Sequence, residues 1–124
     1  MRQIGERALL GHILYRLKLL AHNTDICVAT SDLRKGYVIE KYCRQSNTNC
    51  FHGDETNVLQ RYYQCAEKYK MDHVVRFTGD NPFVDIEELN RLIKQHIKSN
   101  SDFSYTLSEL PKGVVGEVFT YKSL

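Results

Sequence analysis

The chain has 124 residues and a formal net charge of +2, with 42% hydrophobic and 26% charged residues, which is the composition of one ordinary globular domain. Such a small charge argues against nucleic acid or an acidic membrane surface as a partner. The sequence contains neither an apolar run long enough for a membrane span nor a signal peptide, so a single cytoplasmic domain over residues 1–124 is predicted.

Hydrophobic spacing alternates between helical and strand periods along the chain. The helix predicted to begin at Asp85 has Glu88 three residues on, the spacing of a capping box. In chain order we predict a helix over 7–21, a strand over 25–30, a helix around 38–43, a strand over 49–52, a helix over 56–69, a strand over 73–77, a helix over 85–97, and strands over 102–106 and 114–121.

This alternation predicts a three-layer α/β/α fold, in which a mostly parallel sheet carries helices on both faces. We expect the strands over 25–30 and 73–77 to lie together in that sheet. A nucleotide-binding sheet normally begins with a strand and a phosphate-binding turn ahead of its first helix, whereas this sequence begins with a helix. The predicted sheet is therefore incomplete, lacking a first strand and a phosphate loop.

The segment DHVVRFTGDNPFVD at residues 72–85 is the most informative stretch of the sequence. The strand predicted over 73–77 is followed by a sharp turn at Thr78-Gly79-Asp80, and Asn81-Pro82 prevents the strand from continuing. Open α/β sheets bind ligands at the carboxyl ends of their strands, where glycine permits close approach and a carboxylate can anchor a divalent cation. An ordinary turn with polar residues is the alternative interpretation.

Four segments together resemble the nucleotide-sugar pyrophosphorylase fold, and specifically the cytidylyltransferase family of spore-coat polysaccharide biosynthesis proteins, relatives of the CMP-sialate and CMP-Kdo synthetases. The most specific is the pattern G-x-x-x-x-V-L-x-R-Y-Y-x-x-A, which begins at Gly53. The segments are ICVATSD (26–32), FHGDETNVLQRYYQCAEKY (51–69), VVRFTGDNPFVD (74–85) and GEVFTYKSL (116–124).

The resemblance covers the middle of the family domain. Family members begin with a strand and a basic loop that holds the triphosphate of CTP, and they continue past the position of Leu124. A fragment, a misplaced start and a degenerate relative all remain open as explanations, and we expect this partial domain to be inactive alone. Missing sheet elements would leave apolar surface exposed, which favours a homodimer.

The resemblance implies that Asp80 is the catalytic carboxylate, binding Mg²⁺ that bridges the phosphates of CTP. Glu117 is the candidate second metal ligand, although valine stands where many relatives carry another aspartate. The alternative for Glu117 is a strand residue that faces solvent.

Further substrate contacts are also implied by the resemblance. An arginine within an apolar strand needs a carboxylate or an anion as partner, so a structural ion pair is the alternative for Arg76 and likewise for Arg61. Tyr62 and Tyr63 are predicted to be packing residues, with a sugar-pocket role for one of them left open. The implied substrate-binding residues are Arg61, Arg76, Thr78, Gly79, Asn81 and Glu117, and Ala29, Thr30 and Ser31 are implied to adjoin the cytosine.

The predicted function is thus a cytidylyltransferase-like domain that activates a sugar as its CMP conjugate for surface polysaccharide biosynthesis. An acidic nonulosonate, Kdo and an amino sugar are all compatible with the sequence. The alternative is a non-catalytic, degenerate α/β module that binds a sugar or a protein partner.

Overall fold

The computed structural model describes residues 3–22, 24–106, 111 and 114–124. Helices and strands alternate along most of the chain, as the hydrophobic spacing predicts. The elements are β1 (Gln3–Ile4), β2 (Arg7–Ala8), α1 (Leu9–Leu17), β3 (Cys27–Ser31), α2 (Arg34–Gln45), β4 (Asn49–Gly53), α3 (Val58–Lys68), β5 (His73–Arg76), α4 (Ile86–Ser99), β6 (Phe103–Ser104), β7 (Glu117–Thr120) and a closing 3-10 turn (Tyr121–Ser123).

Helix α1 is shorter than the helix predicted over 7–21. Its later start is due to a small antiparallel hairpin of β1 and β2, which takes Arg7 and Ala8 into a strand, and the helix also ends earlier, at Leu17. Gly5, in the turn of that hairpin, has a φ of 60°, a conformation that glycine adopts without a steric penalty. The hairpin therefore replaces the first predicted helical turn.

The first half of the chain is built on a parallel strand pair. β3 and β4 pair over their full lengths, with Cys27 opposite Asn49 and Ser31 opposite Gly53. Helix α2 makes the crossover between them, and α2 and α3 both pack on the pair. Asn57 caps α3 by accepting a hydrogen bond from the backbone N–H of Gln60 at 3.0 Å.

The second half of the chain forms an antiparallel sheet in the order β5-β7-β6. Val74 pairs with Phe119, and Arg76 pairs with Glu117. Helix α4 packs on this sheet and is capped by Asp85, whose side chain accepts a hydrogen bond from the N–H of Glu88, as the capping prediction requires. The core here comprises Val84, Leu89, Leu92, Ile93 and Val118.

The expectation that strands 25–30 and 73–77 share one mostly parallel sheet is wrong for the part of the chain described. β3 lies in a two-stranded sheet and β5 in a separate three-stranded one. The physical reason is that no strand among the described residues bridges the two, and the space between them is a cavity of about 860 Å³.

Side chains make the links between the two sheets. Tyr62 on α3 donates a hydrogen bond from its hydroxyl to the carbonyl of Phe77 just beyond β5, at 3.3 Å. Arg16 on α1 donates from Nε to the carbonyl of Val84 at 2.7 Å. These contacts connect α3 and α1 to the segment that follows β5.

A buried histidine joins α4 to the antiparallel sheet. His96 is fully buried, with Nδ1 2.8 Å from the hydroxyl of Ser104 and Nε2 3.2 Å from Nδ1 of His73. Burial lowers the pKa of His96, and the neighbouring His73 lowers it further, while Asp102 opposes the change. The folded protein therefore holds this imidazole in its neutral form.

We expect acid to destabilise the fold through His96. As the pH falls below about 6.5, the unfolded chain binds a proton at this ring that the folded chain does not bind, so stability declines, by at most about 1.4 kcal/mol per pH unit for one proton. Urea unfolding between pH 5 and pH 8 measures this dependence. His96→Gln, which cannot titrate, should show a shallower decline, and equal slopes in the two proteins would contradict the assignment.

Candidate functional site

The cavity between the sheets gathers half of the predicted site residues. Thr78, Gly79 and Asp80, just past the carboxyl end of β5, form part of its wall, and all three are exposed. Ala29 of β3 and Arg61 of α3 line the same cavity. The structure thus places Asp80 just past the end of β5, as the sequence predicts, on the wall of a cavity that is also lined by residues of β3 and α3.

The turn that carries Asp80 is anchored by the residues that follow it. The side chain of Asn81 accepts a hydrogen bond from the N–H of Phe83 at 2.9 Å, and Val84 is completely buried. The Arg16 hydrogen bond to Val84 adds a further tether, which sequence reasoning missed. Because these partners are 68 residues apart, no local pattern could have indicated the contact.

Arg76 and Glu117 form an ion pair across adjacent strands. Arg76 Nη2 lies 2.6 Å from Glu117 Oε2, which confirms that this arginine has a carboxylate partner. The guanidinium also lies 5.9 Å from the ring centre of Tyr62. Both side chains are 38% exposed, so solvent screens the pair and its net contribution to stability is small.

Arg61 supports the loop between β4 and α3. Its Nη1 donates to the carbonyl of Asp54 at 2.7 Å, while its Nε is buried without a hydrogen-bond partner among the described residues. The Asp54 carboxylate accepts from the N–H groups of Thr56 and Asn57, and the Asn57 hydrogen bond is the main reason that the pKa of Asp54 is lowered. Arg61 therefore has a structural role and a place on the cavity wall.

The end of β3 only partly matches its predicted role. Ala29 lines the cavity, whereas Thr30 is 8% exposed and packed into the interior. The carbonyl of Ser31 lies 3.0 Å from Nδ1 of His52. Of the residues implied to adjoin the base, Ala29 alone lines the cavity among the residues described.

Tyr62 is the lining residue for which sequence reasoning left a role open. Its ring forms part of the cavity wall, and burial raises the pKa of its hydroxyl. Because that hydroxyl stays protonated, it can donate to the carbonyl of Phe77, the residue just before Thr78. Tyr62 is therefore well placed to position the turn that carries Asp80.

The described residues contain no group of three or more histidine, cysteine, aspartate or glutamate side chains arranged to hold a metal ion. Asp80 is an exposed single carboxylate, and Glu117 is engaged by Arg76. This donor set fits Mg²⁺, which binds proteins through one or two carboxylates and takes its other ligands from water and substrate phosphates.

Among the described residues, none of the helices combines the length and the apolar character that a membrane span requires.

The domain is a mixed α/β fold with an exposed carboxylate beyond a strand end, which is where open α/β folds bind their ligands. A family model described as Cytidylyltransferase matches residues 1–124, and the chain belongs to that family. A solved cytidylyltransferase from Leptospira borgpetersenii superposes with a TM-score of 0.89 at 25% identity, over 98% of this chain and 52% of that one. The predicted resemblance and fold class are thereby confirmed.

Two curated proteins are similar over almost the whole chain. An uncharacterized protein of Methanocaldococcus jannaschii is 35% identical over 122 residues, which cover 98% of this chain and 50% of that protein. The spore coat polysaccharide biosynthesis protein SpsF of Bacillus subtilis is 34% identical over 122 residues, which cover 95% and 50%. The chain therefore spans about half the length of these relatives.

A glycine sets the distance between α2 and the end of β3. A Cβ atom on Gly36 would overlap the carbonyl oxygen of Ser31, and it would also crowd the ring of His52. By contrast, a Cβ atom on the exposed Gly79 would meet nothing within 4 Å. The two glycines form a matched pair for a substitution test.

We expect Gly36→Ala to lower the free energy of unfolding by about 2 kcal/mol or more, because backbone overlap outweighs the gain of about 1 kcal/mol in helix propensity. Gly79→Ala should change it by less than about 0.5 kcal/mol, because there is room for the methyl group. Urea denaturation of both variants measures the difference. Equal stabilities would show that α2 can shift away from β3 at little cost.

Proposed function

We propose that this chain is the part of a cytidylyltransferase that binds CTP and a sugar, and that the complete enzyme makes a CMP-sugar for surface polysaccharide. The observation that carries the proposal is the position of Asp80 on the wall of a cavity that Ala29 and Arg61 also line. Membership in the cytidylyltransferase family and similarity to the spore-coat protein support the reaction class. Beyond family membership, the proposal specifies CTP as the nucleotide, Mg²⁺ as the metal and a sugar as the second substrate.

In the proposed reaction, a hydroxyl of the sugar attacks the α-phosphorus of CTP, and pyrophosphate leaves. Asp80 is the residue that would hold Mg²⁺, and the cation when bound would neutralise phosphate charge. Thr78 and Gly79 offer a hydroxyl and exposed backbone beside it, and Asn81 keeps the turn in shape through its hydrogen bond to Phe83. Catalysis of this type consists mainly of positioning and charge stabilisation.

The proposal gives a role to each of two arginines, Arg61 and Arg76. Arg61 lies on the cavity wall with its Nε unpartnered, so it is the candidate for an anionic group of the substrate. Arg76 is paired with Glu117, and because that pair is more than one-third exposed it can open at small cost. Opening would free Glu117 as a second metal ligand and Arg76 as a phosphate or sugar contact.

In this proposal the nucleobase lies against the part of the cavity wall that β3 forms. Ala29 has a small side chain at the cavity, and its neighbours Thr30 and Ser31 would serve through backbone groups, because Thr30 is buried and the carbonyl of Ser31 faces His52. The sugar remains open among acidic nonulosonates, Kdo and amino sugars. A cytoplasmic location and a homodimer also remain predictions.

The test is CTP turnover with each of these sugars, measured as release of pyrophosphate. We expect no turnover by the 124-residue protein, because its sequence does not include the basic loop that the family resemblance implies for holding the triphosphate of CTP. To obtain a complete domain, these 124 residues are joined in a chimera to the parts of Bacillus subtilis SpsF that they do not match. In the active chimera, Asp80→Asn should lower kcat by roughly a thousandfold or more, because the carboxylate charge is lost while the side-chain shape is kept.

Asp102→Asn is the matched control. Asp102 is also exposed and lies beside β6 at the opposite end of the antiparallel sheet, since its carbonyl accepts from the N–H of Thr120. Its substitution should leave kcat within about twofold. Equal turnover in both variants would make Asp80 an ordinary turn residue. A chimera that binds a sugar but never turns over CTP would favour a non-catalytic module instead.

A further inference from the structure

Two of the four cysteines lie side by side in the wall of the cavity. Cys27 is on β3 and Cys65 is on α3, and their Sγ atoms are 3.4 Å apart. Both are free thiols. Because the S–S bond of a disulfide is about 2.05 Å long, the two sulfur atoms need to approach by only about 1.4 Å to form one. The pair therefore needs little movement to become bonded.

Small molecules can reach this pair through the cavity. The cavity wall also includes Gly79 and Asp80, which are exposed, so the space is open to solvent. Cys27 is itself partly exposed, and Cys65 lies beside it on the same wall. An oxidant as small as hydrogen peroxide can therefore contact sulfur at this position.

The surroundings make the two thiols chemically unequal. A hydrogen bond from Cys27 lowers the pKa of Cys65, and the ammonium group of Lys68 lowers it further, while burial opposes the change. The hydrogen bond with Cys65 raises the pKa of Cys27, and burial raises it further. Since the thiolate is the nucleophile in thiol oxidation, Cys65 is the residue that reacts first, and Cys27 follows.

The other two cysteines form a natural comparison. Cys43 on α2 and Cys50 on β4 are also neighbours, but neither lines the cavity. Cys43 is completely buried, and burial raises its pKa to about 12. Burial also raises the pKa of Cys50. This second pair therefore lacks both the access and the reactive thiolate of the first.

We propose that Cys27 and Cys65 are a reversible oxidation site, at which hydrogen peroxide converts the two thiols into a disulfide that ties α3 to β3. The Cys65 thiolate attacks one oxygen of the peroxide, the O–O bond breaks, and the hydroxide that leaves is protonated to water. Cys27 then attacks the sulfur of the resulting sulfenic acid. The S–O bond breaks, and its hydroxide leaves with the Cys27 proton as a second water. The peroxide gains the two electrons that the thiols lose.

The disulfide would act on the part of α3 that lines the cavity. Arg61 and Tyr62 precede Cys65 by four and three residues, so the three side chains lie on neighbouring positions of one helix face. All three line the cavity. Oxidation therefore fixes this turn of α3 against β3, and it does so without any dependence on nucleotide chemistry.

Disulfide mapping of the peroxide-treated protein tests the proposal. Trypsin cleaves after lysine and arginine, so it places the four cysteines in four separate peptides, residues 19–34, 42–44, 45–61 and 62–68. We expect the main product to be a monomer in which peptide 19–34 is joined to peptide 62–68 with the loss of two hydrogen atoms, and dithiothreitol should separate them. A main product that joins 42–44 to 45–61, a disulfide between two chains, or no disulfide at all would overturn the proposal.

Single substitutions test the order of the two steps. In Cys27→Ser, the sulfenic acid at Cys65 has no neighbouring thiol while a hydroxyl can still donate to it, so dimedone, a reagent for sulfenic acids, should label peptide 62–68. In Cys65→Ser, the labelling of Cys27 should be roughly tenfold weaker, because its thiolate is disfavoured. Stronger labelling of Cys27 than of Cys65 in these variants would contradict the assigned roles.

Cys50→Ser is the matched control. It removes a partly exposed thiol that does not line the cavity, so the disulfide between Cys27 and Cys65 should form within about twofold of the rate in the unsubstituted protein. Loss of that disulfide in Cys50→Ser would show that Cys50 relays the oxidation and would contradict direct reaction at Cys65. The mapping experiment needs no substitution, so it decides the proposal even if a variant does not fold.

Discussion

The constraint on which this domain depends is that, in the part of the chain described, side chains and helices rather than a shared strand ladder join the parallel pair to the antiparallel sheet. Tyr62 reaches the carbonyl of Phe77, and Arg16 reaches the carbonyl of Val84. Both contacts end on the segment that follows β5. The segment that presents Asp80 is therefore held from outside its own sheet, by α3 and by α1.

This arrangement explains why half of the candidate site residues line the cavity. In an open α/β sheet, ligands bind beyond the carboxyl ends of strands, and here such ends border a space that no described strand fills. Asp80, Ala29 and Arg61 come from three different elements, so none of them makes a site alone. Their convergence is a property of the tertiary fold.

Local signals in the sequence predicted what depends on neighbouring residues. The start of α4 follows from Asp85 and Glu88, because a cap needs only residues three positions apart. Arg76 was predicted to need a carboxylate because a charge is costly to bury. That the carboxylate belongs to Glu117 follows from the register of the two strands, which the sequence does not reveal. The division into two sheets was not predictable, because hydrophobic spacing identifies a strand without identifying its partner.

The same limit applies to the site. The place of Asp80 just past a strand end was predictable because a strand followed by turn residues is visible in sequence, whereas its role and that of Ala29 came from the family resemblance and stay predictions. The burial of Thr30 and the tether from Arg16 depend on packing between distant segments, for which a single sequence carries no signal.

Arg61 and Tyr62 are consecutive residues on α3, and each holds the carbonyl of a different loop. Arg61 donates a hydrogen bond to the carbonyl of Asp54 in the loop after β4, and Tyr62 donates one to the carbonyl of Phe77 in the segment after β5. Because adjacent residues of one helix make both hydrogen bonds, a shift of α3 would strain or break the two together. The position of α3 therefore sets the positions of both loops relative to each other.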